Sequence, residues 1–459
     1  MNRSLGIKLG AIGLLILLLL IPLLMIDGLI GERQSARNGV LDNIARSSSY
    51  SQQLTGPILV VPYRQTVREW KTAEKTGQRY QEERQVYSRL YVLPETFTLD
   101  GSVGTELRAR GIYTARLFKS DNQISGHFEV PANYGITEDL ADYHFDEPFL
   151  AVGISDIRGI NNALKLQLNG QALDFEPGSG DEMLSNGVHA PLGKLDSSKA
   201  MKLDYAFNLK LQGTSSFSVA PVGRDSQVQL KSDWPHPSFM GEFLPTEREI
   251  TENGFTANWQ TSFFATNFEQ VLRECINTSG CSSFDNRSFG VSFVDPVDQY
   301  LKTDRAIKYA MLFIGLTFAG FFLMEVLKRL AVHPVQYGLV GLALAMFYLL
   351  LLSLSEHLDF GLAYALSAAA CVVLVGFYVC HVLHSWLRGG GFTLGLAALY
   401  GLLYGLLSAE DYALLMGSLL VFGLLACVML LTRKLDWYGV GKAPEPEPTL
   451  TLEPGLLGE

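Results

Sequence analysis

Six apolar stretches divide this chain unevenly, and their spacing constrains the fold more than any motif does. The first, Leu9–Ile26, is an uncharged, leucine-rich run. About 275 residues without another such stretch follow, and then Ala306–Leu327, Val335–Leu354, Phe360–Cys380, Phe392–Ser408 and Tyr412–Leu431 crowd the last third. A hydrocarbon core about 30 Å thick needs roughly 20 mostly apolar residues as helix. The pattern predicts a membrane protein: a six-helix α-helical transmembrane bundle, one helix plus five, with one large domain inserted after the first. Breaks at Lys328–Pro334, Ser355–Asp359, Gly389–Gly391 and Ala409–Asp411 predict tight hairpins between neighbouring helices. The expected organisation is residues 1–30 for the N-terminus and first span, 31–305 for the inserted domain, 306–434 for the five-helix bundle and 435–459 for a tail.

Short-loop cations set orientation. Arg3, Lys8, Lys328, Arg329, Arg388, Arg433 and Lys434 fall on one side of a six-span chain. The other short loops hold Glu356, Asp359, Glu410 and Asp411 without Lys or Arg. Both termini are therefore expected in the cytoplasm and the large domain outside. Lys302, Arg305 and Lys308 fall on the outer side, but long domains translocate largely regardless of charge. A cleaved signal peptide is the alternative for the first span; its apolar core is longer than a usual h-region, and no clear A-x-A site follows before Glu32. An uncleaved anchor fits better.

Within the inserted domain, residues near 31–55 read as a helix or linker leaving the membrane, and Gly56 to about Gln260 as strands. Met201–Leu211 alternates, with apolar odd positions and mostly polar even ones, the period of a half-buried strand. Leu164, Leu166 and Leu168 alternate with Lys165 and Gln167 before Asn169-Gly170, a dipeptide suited to a two-residue hairpin turn. Asp100-Gly101 offers a second such turn between Phe97–Leu99 and Val103. Repeated short strands with these turns predict a large, antiparallel, all-β sandwich, either one enlarged sandwich or two. Thr261–Asn286 reads as helical or irregular. The Pro-Glu alternation after Lys442 forbids helix and ladder, and reads as a disordered tail.

A net charge of -10 leaves no general basic surface for nucleic acid. Of five cysteines, Cys371, Cys380 and Cys427 lie in spans and behave as small apolar groups. Cys275 and Cys281 lie in the outer domain, where an oxidising compartment permits a disulfide; two free thiols are the alternative, and no nearby His completes a metal set. Asn277-Thr278-Ser279 and Asn286-Arg287-Ser288 match the glycosylation acceptor pattern, which has no meaning in a typical bacterium.

No catalytic constellation emerges. Gly178-Ser179-Gly180 and Gly389-Gly390-Gly391 make neither a P-loop nor a dinucleotide fingerprint and read as loops. There is no H-E-x-x-H and no serine elbow. Glu356-His357, at the outer end of the third span, is the nearest approach to a proton or metal site; an interfacial polar pair ending a helix is the plainer reading. Glu325 has Lys328 and Arg329 at i+3 and i+4, which reads as a paired interfacial carboxylate. The spans show no interruption and no midplane charge, which weighs against a coupled transporter. Ala363, Ser367 and Cys371, and the Gly401-x-x-x-Gly405 motif, offer close helix approach, within the bundle or in a homo-oligomer. Trp234–Pro245, with Trp234, His236 and Phe239, reads as a stiff, non-strand apolar loop: a partner surface, or a crossover plugging the core. Asp304, Arg305 and Lys308 sit where the chain re-enters the membrane, either as lipid-phosphate ligands or as a simple Asp304–Lys308 i,i+4 pair.

Several of these strings resemble the CreD family of bacterial inner-membrane proteins. They are Ser232–Phe239, Gly241–Pro245, Asp298-Gln299-Tyr300, Thr303–Ala306, Lys308-Tyr309-Ala310, His333–Tyr337, Met346–Leu352, Ser355-Glu356-His357 and Asp436-Trp437-Tyr438. The resemblance runs nearly end to end, leaving out the tail and the Cys275–Cys281 region. It implies a multi-pass inner-membrane protein with a periplasmic β domain, linked to envelope integrity, the envelope-stress response, a two-component regulatory system and colicin tolerance. It supplies no reaction, cofactor, metal or catalytic residue. The leading expectation is a non-enzymatic envelope protein whose β domain binds an envelope protein or lipid. A small-solute transporter or channel, and a membrane-edge hydrolase using Glu356 and His357, are the alternatives.

Overall fold

The computed structural model describes residues 3–72, 78–277, 287–293, 298–328, 332–383, 385–408 and 413–433. Cys281, Arg329, Glu410 and the tail after 433 lie outside them. The chain forms two compact units, Arg37–Pro296, and Met1–Ala36 together with Val297–Glu459.

A single helix, α1 (Arg3–Ser47), opens the chain. It is followed by the strands β1 (Gln52–Thr72), β2 (Arg79–Val92), β3 (Thr96–Arg110), β4 (Tyr113–Val130), β5 (Tyr143–Phe145), β6 (Phe149–Ile154), β7 (Lys165–Leu168) and β8 (Gln171–Asp174). The strands β9 (Glu176–Pro177), β10 (Gly187–Pro191), β11 (Met201–Thr214), β12 (Ser216–Ala220), β13 (Asp225–Ser232), β14 (Ser238–Gly241), β15 (Glu247–Thr251) and β16 (Gly254–Ser262) come next. Then come α2 (Phe263–Thr266), α3 (Phe268–Asn277) and β17 (Phe289–Ser292). The remaining helices are α4 (Gln299–Lys308), α5 (Ala310–Lys328), α6 (Pro334–Ser355), α7 (Phe360–Val382), α8 (Trp386–Ser408) and α9 (Ala413–Thr432).

In the β unit, the described strands make two sheets, one ordered β14-β17-β12-β1-β6-β10-β9 with β2 and β5 also on β1, the other β15-β16-β13-β3-β4-β11-β7-β8. Residues from both, among them Leu54, Phe97, Phe118, Leu150, Phe217 and Leu230, fill one continuous core, so this is one enlarged sandwich. The alternation in β11 appears as expected: Leu203, Tyr205, Phe207, Leu209 and Leu211 are buried. Asn169 and Gly170 both take positive φ between β7 and β8, as a two-residue hairpin requires.

Two expectations fail here for physical reasons. The sandwich is not purely antiparallel: β1 runs parallel to β12, and β13 parallel to β3. Asp100-Gly101 is not a turn, because β3 runs straight through it. The glycine serves close packing instead. A Cβ at Gly101 would lie 2.7 Å from Leu230 Cδ2 and 2.8 Å from Asn122 Oδ1, tighter than real side chains approach.

The last turns of α1 belong to the β unit and are fastened there by polar groups. Asp42 accepts from Arg46 Nη2 (2.7 Å) and from the Tyr50 hydroxyl (3.1 Å). Arg158 donates to the Arg46 carbonyl (2.7 Å) and to Asp156. Asp156 also accepts from the Tyr50 backbone N–H (3.1 Å). Gln52 Nε2 donates to the carbonyls of Asp156 and Gln212, at 2.9 and 3.0 Å. The Arg158 hydrogen bonds, with those from the backbone, hold the Asp156 carboxyl below its usual range.

In the helical unit, four described helices are long and apolar enough to cross a membrane, or up to five if the α4–α5 pair is one span. The described residues therefore carry four to five such helices and a large all-β unit. Helix starts follow local chemistry: Asp298 caps α4, Asp359 caps α7, and His333 with Gln336 makes a capping box before Pro334 of α6. The second span is not continuous, however: α4 and α5 meet at a 45° bend. Gly389–Gly391 is likewise no loop but part of the first turns of α8. Gly389 lies so close to α7 that a side chain would collide with Cys380.

Because the folded-state value of Asp156 is depressed, its contribution is present above the unfolded value of about 3.9 and is lost as pH falls through the folded value. Asp156→Asn should lower unfolding stability at pH 7 by about 1 kcal/mol, discounted because Arg158 is half exposed. The difference from the parent should shrink in denaturant titrations as pH falls below about 4; a pH-independent difference would contradict this assignment.

Candidate functional site

The strongest chemistry in the helical unit is a set of buried polar groups that join distant parts of the chain. Helix α1 offers the bundle one narrow seam, Ile12, Leu19, Leu23, Ile26 and Ile30. This spacing resembles the a/d seam of a coiled coil. Gly341 of α6 leaves the room that Leu19 fills. Most of the α1 surface stays exposed, with only 22% of its most apolar window buried.

Polar clamps hold this helix at both ends. Lys8 Nζ of α1 donates to Glu325 of α5. The same carboxylate accepts from the Tyr337 hydroxyl of α6 (2.9 Å) and the Val332 backbone N–H (3.2 Å). Tyr337 is fully buried, edge-on to Phe318 and tilted against Phe321. Glu325 was expected to pair along its own helix with Lys328 and Arg329, whose side chains lie outside the described residues; its described donors come from α1, α6 and the connection before α6. At the other end Arg33 Nε lies 3.6 Å from Glu356 Oε1, and the buried Tyr300 of α4 donates its hydroxyl to the same carboxylate at 3.3 Å. Lys8 and Arg33 are separated along α1 by about 38 Å, at 1.5 Å per residue, which brackets a hydrocarbon core of about 30 Å.

Between the clamps, α7 turns its small-residue stripe inward. Ala363, Ser367 and Cys371 are all buried. Tyr364 donates to the Tyr400 carbonyl (2.6 Å), and Cys371 Sγ lies 3.3 Å from the Tyr400 hydroxyl. The close helix approaches are at Gly376, over Thr393, and at Gly389. Among the described residues the Gly401-x-x-x-Gly405 motif makes no such approach: Gly401 meets nothing within 4 Å, and Gly405 only Met416 at 3.9 Å.

The remaining sequence candidates distribute as follows. Asp304 and Lys308 form an i,i+4 ion pair at 2.6 Å on α4, the helix that also carries Arg305. Glu356 is engaged with Tyr300 and Arg33, while the neighbouring His357 is exposed and hydrogen-bonds through its backbone to Leu354. The described contacts thus do not join these two side chains as an acid–base pair. Among the described residues no group of three His, Cys, Asp or Glu side chains is placed to hold a metal.

In the β unit, Trp234 is buried where the chain passes from β13 in one sheet to β14 in the other. The Arg116 guanidinium lies 3.7 Å from the centre of its ring, and exposed His236 meets it edge-on at 5.4 Å. Phe239 packs against Phe255 and Trp259, both at 5.8 Å. The segment is not free of strand as expected, since Ser238–Gly241 pairs with β17. Cys275, on the inner face of α3, is disulfide-bonded.

Sequence reading missed a second feature of this unit. From Thr66–Gln85 outward to Thr72–Arg79, β1 and β2 pair with each other alone, beyond the β5 contact at Tyr63–Gln65. This two-stranded arm exposes Trp70 and Tyr80, at 69% and 48%, and Tyr87, paired with Arg64 at its base, is 71% exposed. Cross-strand ion pairs Arg68–Glu83 and Lys71–Glu82 brace it, and Arg68 also reaches Asp142 at 2.7 Å. The alternating charges concealed it, because neither face is apolar enough to mark a strand.

A carboxylate this deeply buried depends on each donor. Tyr337→Phe should lower the unfolding midpoint of the detergent-solubilised chain by the equivalent of about 1–2 kcal/mol. An unchanged midpoint would mean that Glu325 does not need the hydroxyl.

Comparison with known proteins is consistent across the chain. A family model described as "Inner membrane protein CreD" matches residues 4–438. The inner membrane protein CreD of Escherichia coli (strain K12) is 41% identical over 424 residues, covering 92% of this chain and 91% of that protein. Among solved structures, one described as a nutrient binding protein of Legionella pneumophila aligns at 5% identity and a TM-score of 0.20, over 38% of this chain and 66% of that one. That likeness is too low to inform the fold.

Proposed function

The chain belongs to the CreD family of inner-membrane proteins, and from that premise we propose that it supports cell-envelope integrity as a non-enzymatic, partner-binding membrane protein. In this reading six spans cross the bilayer, both termini are cytoplasmic and the β unit is periplasmic. The loop charges support this orientation. The disulfide at Cys275 suits the same compartment.

The observation that carries the reading is the β1–β2 arm. An isolated two-stranded ribbon is marginally stable in water, and exposed Trp and Tyr side chains are the residue types that anchor protein interfaces. Trp70 and Tyr87, which the register with Gln81 and Arg64 places on one face of the ribbon, therefore form the proposed contact surface for an envelope protein. The buried Trp234 is a core residue in this scheme, and Phe239 is packed against the same core.

A second reading, a transporter or channel for a small solute, draws on the 45° break between α4 and α5. Interrupted helices commonly line the binding sites of secondary transporters. Solute flux in reconstituted vesicles distinguishes it.

A photo-crosslinking residue placed at position 87 in living cells should capture one recurrent envelope protein, and Trp70→Ala should reduce its yield several-fold. No specific adduct under resting or envelope-stress conditions would contradict the arm as a partner surface.

A further inference from the structure

The β unit carries a polar hollow on the outer face of its second sheet, across the neighbouring strands β3, β13, β16 and β15. On these strands alternate residues fill the core: Leu99 and Val103, Val228 and Leu230, Ala257 and Trp259 are buried. The residues between them therefore point the other way. Strand register sets those residues in rows across the sheet. Asp100, Gln229, Asn258 and Glu247 make one row, and Ser102, Lys231, Thr256 and Glu249 the next. Two consecutive depressions of about 420 and 500 Å³ lie over these rows. Together they run from Thr98 to Gly104 of β3, about 20 Å of strand.

The lining narrows the chemistry of an occupant. Its apolar members Leu99, Val103, Phe255 and Trp259 are at most 4% exposed, so the hollow lacks the aromatic anchor of a protein interface. Four carboxylates, Asp100, Asp233, Glu247 and Glu249, stand against the single cation Lys231, which repels phosphates. A cationic chain would need those carboxylates free and together. Asp233 already accepts from the Thr105 backbone N–H and hydroxyl, at 3.0 and 3.2 Å. Glu247 accepts from Asn258 Nδ2 at 3.4 Å, and Asn258 in turn accepts from Gln229 Nε2 at 2.8 Å. Lys231, on β13, stands between the strands of Asp100 and Glu249. What the hollow offers is an ordered field of amides, hydroxyls and carboxylates, groups that together donate to and accept from hydroxyl groups.

We propose that this hollow binds an uncharged oligosaccharide laid along the strands. The Asp100 carboxylate, which no described side chain engages, accepts from a pair of ring hydroxyls. Gln229, held by Asn258, presents its remaining amide oxygen beside it, and Lys231 donates to hydroxyls of the next ring. The length of the hollow suits several linked rings better than one. The site uses none of the residues of the β1–β2 arm and does not depend on the arm's partner.

Calorimetric titration of the full-length protein with chitotetraose and with cellotetraose tests this, in nanodiscs so that no detergent sugar headgroup competes. At least one tetrasaccharide should bind saturably in the submillimolar range, and its monosaccharide at least ten-fold more weakly. Asp100→Ala and Gln229→Ala should each weaken the tetrasaccharide about five-fold or more. Gln171→Ala, at the opposite edge of the same sheet, should leave binding unchanged. Independently of any substitution, saturating tetrasaccharide should slow amide exchange several-fold across the edge strand 247–251 and not across 171–174. No saturable binding of either tetrasaccharide, binding untouched by both substitutions in the hollow, or unchanged exchange at 247–251 would overturn the proposal. Tetralysine bound more tightly than either sugar would overturn it in favour of a cationic chain.

Discussion

The helical unit depends on fastening α1 to helices that follow it by nearly the whole inserted domain. In water, burial of an apolar stripe would suffice. In a bilayer, lipid tails are as apolar as leucine, so packing alone gives helices little preference for one another over lipid. Helix α1 also presents only the seam Ile12 to Ile30 to the bundle. The two carboxylates, Glu325 and Glu356, supply what the seam lacks. Each receives a cation from α1 and a tyrosine hydroxyl from the bundle. The charges fix register and rotation as well as proximity, since a one-residue slip would turn Lys8 and Arg33 away by about 100°.

The same economy appears in the β unit. Its two sheets share one core, and the last turns of α1 are bound to it by Asp42, Arg158, Asp156 and Gln52 rather than by a large apolar face. Only Ile44, with Val40 and Leu41 beside it, packs into the small cluster around Ala115 and Leu117. Polar fastening of this kind is specific in direction, because every donor must meet its acceptor. Family membership adds that the chain is an inner-membrane protein across nearly its full length.

Local periodicity was legible in the sequence where one face is buried and the other wet. The alternation of β11 and the Asn169-Gly170 turn were of this kind. Features set by distant partners were not legible. Gly101 looks like a turn residue from its neighbours, and only Leu230 and Asn122 reveal that it is a packing glycine. Gly389 looks like a loop until Cys380 is placed beside it. The parallel pairings of β1 with β12 and β3 with β13 leave no local mark. Glu325 has cations three and four residues away in sequence, and its described cation is 317 residues distant. The arm escaped notice because its strands are charged on both faces, with its aromatics pointing outward.

The central claim is that the Lys8–Glu325 pair couples α1 to the bundle, and a double-mutant cycle with Lys8→Met and Glu325→Gln measures it directly. Unfolding of the full chain in detergent would be followed for both single variants and the double variant. Each single change leaves one buried group without its partner, a loss of about 3–5 kcal/mol for well-buried pairs and less where one partner is part-exposed, as Lys8 is. The account predicts that the double variant is much less destabilised than the sum of the singles, with a coupling of at least about 1 kcal/mol. Strict additivity would show that the two side chains do not act on one another, and would contradict the account.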